Sequence, residues 1–263
     1  GPILQVKDVC LTLGGKKVLN HLDFTVQDIR RPGHQQGQVV ALLGPSGVGK
    51  TQLFRRIAGL DLPDSGSILV GLKAQPTQVG LVGVVMQHYP LLMHRHVLSN
   101  LVVAGRQAGL SKSGAEKKAR EMLKTFGLED RENAWPAELS GGQRQRVAIA
   151  QQLMCSENFL LMDEPFSGLD PLMKNRACEL IQHVAALHEE NTIIVVTHDI
   201  ESAVKISDQV IILGRDPKDK SSGASVRANL DLKEREITWR PNNDTLPAFT
   251  ETVREIKALF PTL

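Results

Sequence analysis

The sequence predicts an α/β fold built on a mainly parallel sheet, with an antiparallel β part at its start and a helical insert. Three observations carry this. Short apolar runs alternate with helical stripes from Val39 onward, a glycine-rich loop joins one of those runs to a helix, and 41% hydrophobic residues in a chain of 263 suffice for a full core.

Taken in order, Ile3, Val6, Val9, Leu11 and Leu13 alternate roughly, and Val18 to Val26 reads the same way across the Gly14-Gly15 turn. This is an antiparallel opening. Gln27 to Gly37 is polar and punctuated by Pro32 and Gly33, an exposed loop long for a turn. Val39 to Leu43 is a buried strand. After Gly44 to Thr51, Leu53 and Ile57 lie one helical turn apart, and Gly59 ends that helix. Pro63 to Gly66 marks a turn and Ser67 to Val70 another strand. Val79 to Met86 is apolar enough for burial on both faces and finishes at Gln87.

From Pro90 to Met154 the pattern turns helical. Ser113 and Glu116 have capping-box spacing, Ala115, Ala119, Met122, Leu123 and Phe126 share a face, and Gly127 is the stop. Phe159 to Met162 is a short buried strand, Leu172, Leu180, Val184 and Leu187 stripe a helix, Thr192 to Val196 is a β-branched strand, and Gln209 to Leu213 supplies one more. Lys218 to Gly223 is charged and Gly/Ser-rich, a linker or exposed turn. Beyond it, Leu246, Phe249, Val253, Ile256 and Phe260 recur at helical spacing after Pro247, and Pro261 ends the run. The expected organisation is a core of residues 1–89 and 156–215, a helical subdomain at 90–155 and a C-terminal extension at 216–263.

A net charge of +2 with mixed signs gives no strong field for nucleic acid or a membrane surface. The longest apolar runs fall short of the ~20 residues that span a bilayer. The chain starts without a basic-then-apolar secretory segment. Cys10, Cys155 and Cys178 are odd in number and far apart, with no metal-like pairing, so a reduced interior and no disulfide are expected.

The chemistry begins at Gly44-Pro45-Ser46-Gly47-Val48-Gly49-Lys50-Thr51, with Gln52 following on the helix. Its glycines let the backbone curl so that successive N–H groups point at a triphosphate, and the helix adds its positive N-terminal end. Lys50 reaches the β- and γ-phosphates and the Thr51 hydroxyl can ligate Mg²⁺, so the chain is expected to bind ATP. A glycine turn without a ligand is the plain alternative, and the complete pattern between a strand and a helix argues against it.

Asp163 and Glu164 follow the strand Phe159 to Met162, at a carboxyl end beside the phosphate loop. Asp163 is expected to hold Mg²⁺, directly or through water, and Glu164 to polarise the water that attacks the γ-phosphate. A solvated acidic pair before a proline is the alternative. Gln87 ends another buried strand, where its amide can bind Mg²⁺ or the water. His198 ends the strand Ile193 to Thr197, where an imidazole could bond the γ-phosphate or hold the attacking water. For both, a purely structural strand end is the alternative. Leu139-Ser140-Gly141-Gly142-Gln143 precedes a helix carrying Val147, Ala150 and Leu153. Ser140 is a good N-cap and the glycines expose backbone N–H groups, which makes a second anion site. One chain cannot easily place two such helix ends on one γ-phosphate.

In order, Gly44 to Thr51, Gln87, Leu139 to Gln143, Leu161 to Pro165, Ser167 to Asp170 and His198 resemble the motifs of the ATP-binding cassette (ABC) family, over roughly Ile3 to Leu213. The resemblance implies that two cassettes pair head to tail, as a homodimer or with a paralogous cassette. Ser140, Gly141, Gly142 and Gln143 of one would then complete the site on the other's phosphate loop. It also implies Gln87 as the loop glutamine, Glu164 as the catalytic base, Asp170 as the loop aspartate that crosses the interface and His198 as the switch histidine. Two departures stand out. The family usually places an aromatic near Leu13 to stack on adenine, and here no Tyr, Phe or Trp lies between Ile3 and His21, which leaves Leu13 and Val18 as aliphatic contacts for the base. Gln151-Gln152 stand where many relatives have an Arg and a small residue.

The implied function is the ATP-hydrolysing subunit of a membrane transporter, peripheral on the cytoplasmic face of the cell membrane and working with separate permease chains. The compact cassette with a short tail is most similar to small-solute importer subunits, which also use a solute-binding protein. The rival is a soluble ABC ATPase acting on nucleic acid or ribosomes. Such proteins tend to carry two cassettes in one chain or a long coiled coil, and neither pattern is present. A regulator that binds nucleotide without hydrolysing it is disfavoured by the presence of both Glu164 and His198.

Overall fold

A computed structural model of the chain describes residues 1–29, 37–88, 90–156 and 158–263. Most of the long Gln27 to Gly37 loop lies outside the described residues. The expected hairpin is β1 (Pro2–Leu13) and β2 (Lys16–Gln27), followed by β3 (Gln38–Leu43), the phosphate-loop helix α1 (Lys50–Ile57) and the short strands β4 (Ser65–Val70), β5 (Gln75–Pro76) and β6 (Gly83–Val85). The helical insert holds α2 (Val97–Gln107), α3 (Lys112–Thr125) and α4 (Gly141–Cys155). Then come β7 (Phe159–Asp163), α5 (Pro171–Ala186), β8 (Thr192–Thr197), α6 (Ile200–Ile206), β9 (Gln209–Asp216), β10 (Asp219–Asp231) and α7 (Pro247–Leu259).

All strands join one sheet in the order β5-β4-β1-β2-β10-β9-β3-β8-β7-β6. The half from β9 to β6 is parallel, as crossover helices require, and β5 to β2 is antiparallel. Between them, β10 runs antiparallel to β9 and meets β2 through the single parallel pair Ala224–Leu19. Three apolar clusters cover the sheet. Phe54 and Ile57 of α1 pack with Leu42, Leu161 and Val196 and continue into Leu4 and Phe24 of the hairpin. On another face, Leu101, Val147, Ile149 and Ile181 of the helices meet Met162 and Val195. The third joins α6 and α7 to β9 and β10 through Val204, Ile212, Leu230, Phe249, Val253 and Ile256. The C-terminal helix thus packs its stripe on the chain's own core.

Four local expectations change. The apolar run Val79 to Met86 yields only the three residues of β6, and Val79 is 69% exposed in a turn. That turn is locked against Gly59 (φ 74°), where a Cβ would lie 2.5 Å from the Gln78 carbonyl carbon. The cap of α3 is Ser111 rather than Ser113, with Ser111 Oγ accepting from the Gly114 N–H at 3.0 Å. Leu172, expected in the stripe of α5, is exposed, and the buried face is Ala177, Cys178, Ile181, Val184 and Ala185. Finally, the tight turn is at Pro217-Lys218, and Asp219 to Gly223 already belong to β10, a strand the apolar pattern does not announce. The residues expected as an extension from 216 therefore share the core sheet as far as Asp231.

Candidate functional site

The parallel register sets the carboxyl ends of β3, β8 and β7 side by side, with Leu43 opposite Thr197 and Asp163 opposite Val196. The residues leaving those ends are Gly44 to Thr51, His198 and Glu164. Ligands of parallel α/β sheets bind at such ends.

In the loop, Gly49 has φ 115°, and a Cβ there would come within 3.2 Å of Val18 Cγ1 and 3.3 Å of Leu19 Cδ2. Glycine is needed both for the dihedral and for the approach of the hairpin. The same contact places Val18 against the phosphate loop, while Leu13, near the tip of the hairpin, is 41% exposed. Lys50 is buried, and its Nζ donates to the carbonyl oxygens of Gly44 (2.7 Å) and Pro45 (2.9 Å) and lies 3.9 Å from Glu164 Oε1. Burial lowers its pKa, against the opposing pull of Glu164 and then Asp163. Gln52 Oε1 accepts from Arg56 Nη1 one turn further along α1. Arg215, on β9, donates from Nη2 to the Gly47 carbonyl at 2.8 Å.

Asp163 Oδ1 is buried and has no hydrogen-bond partner among the described residues. Burial first, and Glu164 second, raise the Asp163 pKa, with Lys50 opposing. The orphaned carboxylate oxygen of Asp163 and the hydroxyl of Thr51, an exposed residue next to Lys50 at the start of α1, are oxygen donors of the kind that fit Mg²⁺. Glu164 stands at φ 46°, a left-handed backbone that its surroundings must hold. Its N–H donates to the Val196 carbonyl at 2.8 Å. Its carboxylate accepts from His198 Nδ1 at 3.0 and 3.1 Å and from Thr197 Oγ1 at 3.3 Å.

The structure thus brings Lys50, Asp163, Glu164 and His198 together around the loop. Ser140 to Gln143 form a full capping box at the start of α4, with Gln143 N–H on Ser140 Oγ (3.2 Å) and Ser140 N–H on Gln143 Oε1 (2.9 Å). Gly141 and Gly142 face open space. Asp170 caps α5 through the Met173 N–H at 2.9 Å and is exposed, as is Gln87 in the turn beyond β6. Sequence reasoning missed Thr197 and Arg215. A hydroxyl directly before the strand-end histidine is a readable signal for the first, but nothing local marks Arg215.

Residues 33–167 match the family model described as ABC transporter. The chain is 36% identical over 221 residues to the sulfate/thiosulfate import ATP-binding protein of Pectobacterium atrosepticum, covering 81% of this chain and 64% of that protein. It is 38% identical over 210 residues to an aliphatic sulfonates import ATP-binding protein of Rhodococcus jostii, covering 80% and 70%. With the glutamine transport ATP-binding protein of Escherichia coli the identity is 36%, covering 81% and 88%. The chain therefore spans just under two thirds of the first of these relatives. Among solved structures, cbiO1 from Clostridium perfringens, part of the ABC transporter complex cbiONQ, superimposes with a TM-score of 0.76 at 26% identity, over 99% of this chain and 96% of that one.

Proposed function

The chain belongs to the ATP-binding cassette family, and from that premise we propose that it is the ATP-hydrolysing subunit of a membrane transporter for a small solute, working in import. The observation that carries the catalytic part is the Glu164 carboxylate held between His198 and Thr197, with the Lys50 ammonium 3.9 Å away.

In this reading the phosphates of ATP lie along Gly44 to Thr51, with Gln52 at the helix start, and Lys50 turns its N–H groups from the loop carbonyls to the β- and γ-phosphate oxygens. The Glu164 carboxylate takes a proton from a water whose oxygen attacks the γ-phosphorus. The bond to the leaving ADP oxygen breaks as the new P–O bond forms. His198 donates from Nδ1 to Glu164 and fixes its carboxylate for that proton transfer. Thr51, Asp163 and Gln87 would hold Mg²⁺, which when bound neutralises phosphate charge. Adenine rests on the aliphatic side chains of Leu13 and Val18.

The open backbone at Gly141 and Gly142 supports a head-to-tail dimer in which Ser140 to Gln143 complete the partner's site and Asp170 lies at the interface. No helix among the described residues is long and apolar enough to cross a membrane, so the reading includes separate permease chains, with the cassette peripheral on the cytoplasmic side. The import names of two of the relatives support the direction of transport, and the reading adds a solute-binding protein as a further partner. They also favour this reading over an ATPase acting on nucleic acid.

Glu164→Gln tests it. Hydrolysis should fall by about 10²–10⁴-fold while ATP binding survives, and size-exclusion chromatography with ATP should show an accumulating dimer. Full residual turnover would remove Glu164 from its role, and a monomer with bound ATP would remove the composite site.

A further inference from the structure

Away from the phosphate loop, β1 and β2 carry two facing bulges. Between the pairs Val6–Phe24 and Val9–Leu22 the surplus residue is on β1, and between Val9–Leu22 and Leu11–Leu19 it is on β2. Asp8 (φ 48°) and His21 (φ 46°) take left-handed backbone at these bulges. Two non-glycine residues in that region, face to face, turn their side chains toward each other and toward Cys10. One ligand atom from each of Asp8, Cys10 and His21 lies within 4.8 Å of the other two, the one such His/Cys/carboxylate group among the described residues. His21 Nδ1 is 2.5 Å from Asp8 Oδ1, the His21 N–H donates to Cys10 Sγ at 3.3 Å, and the Asp8 N–H donates to Asp23 Oδ1 at 2.8 Å.

We propose that Asp8, Cys10 and His21 form a binding site for one borderline divalent transition-metal ion of the Zn²⁺ class. A thiolate, an imidazole and a carboxylate are the donors such ions take, and the thiolate excludes hard cations such as Mg²⁺ and Ca²⁺. Three protein ligands leave the fourth tetrahedral position to water, and the Asp8 and His21 side chains, 65% and 70% exposed, give the ion and that water a way in. The backbone hydrogen bonds to Asp23 and Cys10 hold the bulges before any ion arrives, which limits the ordering cost of binding. Coordination expels the thiol proton, so affinity rises with pH. The site shares no residue with the phosphate loop.

The test is titration of the full chain, stripped with a chelator, with Co²⁺. One equivalent should bind with a thiolate-to-cobalt charge-transfer absorption, and Zn²⁺ should displace it. Cys10→Ser and His21→Ala should lose the band and Cys155→Ser should keep it. No charge-transfer band in the wild type, or a band that survives Cys10→Ser, overturns the proposal. A second measurement needs no variant. Zn²⁺ should protect Cys10 from alkylation in peptide mapping while Cys155 reacts as before, and equal alkylation of Cys10 with and without Zn²⁺ overturns it as well.

Discussion

Replacing Asp163 with asparagine separates what this residue does for binding from what it costs the fold. Its Oδ1 is buried without a hydrogen-bond partner among the described residues, and burial followed by the charge of Glu164 lifts its pKa above the ordinary 3.8, with Lys50 opposing. A carboxyl whose folded pKa is raised supports the fold while protonated and loses that support as pH rises through the folded value. At neutral pH the ionised Asp163 therefore weighs against folding. A buried polar group left unmatched costs about 1–3 kcal/mol and more when it is charged, and asparagine removes only the part of that cost that belongs to the charge. Partial burial and the attraction of Lys50 put this case at the lower end, about 1 kcal/mol, which for a chain of this size is about 2 °C in melting temperature. Asp163→Asn should thus melt about 2 °C higher than wild type at pH 7 in chelator, with the gap narrowing as pH falls toward the ordinary carboxylate range. Scanning calorimetry across pH measures this, and the same variant should lose the extra stabilisation that Mg²⁺ adds to ATP. A lower melting temperature at pH 7, or a gap that ignores pH, would refute the reasoning by showing that the attraction of Lys50 outweighs desolvation.

Arg215→Met removes the hydrogen bond to the Gly47 carbonyl and should weaken ATP binding about fivefold, roughly the 1 kcal/mol of a half-exposed charged hydrogen bond. Unchanged affinity by calorimetric titration would reduce the arginine to a bystander. Leu13→Tyr should tighten ATP about two- to tenfold, since stacking adds about 0.5–1.5 kcal/mol, while the wild type should use GTP and ATP comparably. Strong ATP preference in the wild type with no gain from the tyrosine would sink the aliphatic-face idea. Ile256→Ala, at a fully buried position of α7, should cost about 2–5 kcal/mol, and an unchanged melting temperature would show that the helix contributes little to the core.

The parts of the site readable from sequence are those fixed by local chemistry. The loop from Gly44 to Thr51, the strand end at Asp163-Glu164 and the strand end at His198 each carry their signal within a few residues, and the parallel register then aligns them. What escaped depends on partners distant in the chain. β10 has little apolar contrast in Ser225 to Asn229 and is a strand because β9 offers it a ladder. Val79 to Met86 is apolar enough for a long strand, but only Gly83 to Val85 pair with β7. Arg215 lies 168 positions from Gly47. The cysteine spacing shows no metal-like pairing at Cys10, because its nearness to Asp8 and His21 is a matter of two bulges, and a bulge is a property of pairing rather than of either strand alone.

The join between the two halves of the sheet has a mechanical consequence. β2 and β10 meet through one backbone pair, yet the apolar cluster runs without a break from Phe24 and Leu22 on one side to Ile211 and Leu213 on the other. A hydrogen-bonded ladder resists shear because each bond is directional, whereas apolar contact is indifferent to small rotations. The boundary is therefore a greased joint, strong against separation and soft against rocking. Val18 sits on the hairpin side of that joint and Gly49 on the other, so a nucleotide spanning base and phosphates would act as a strut across it.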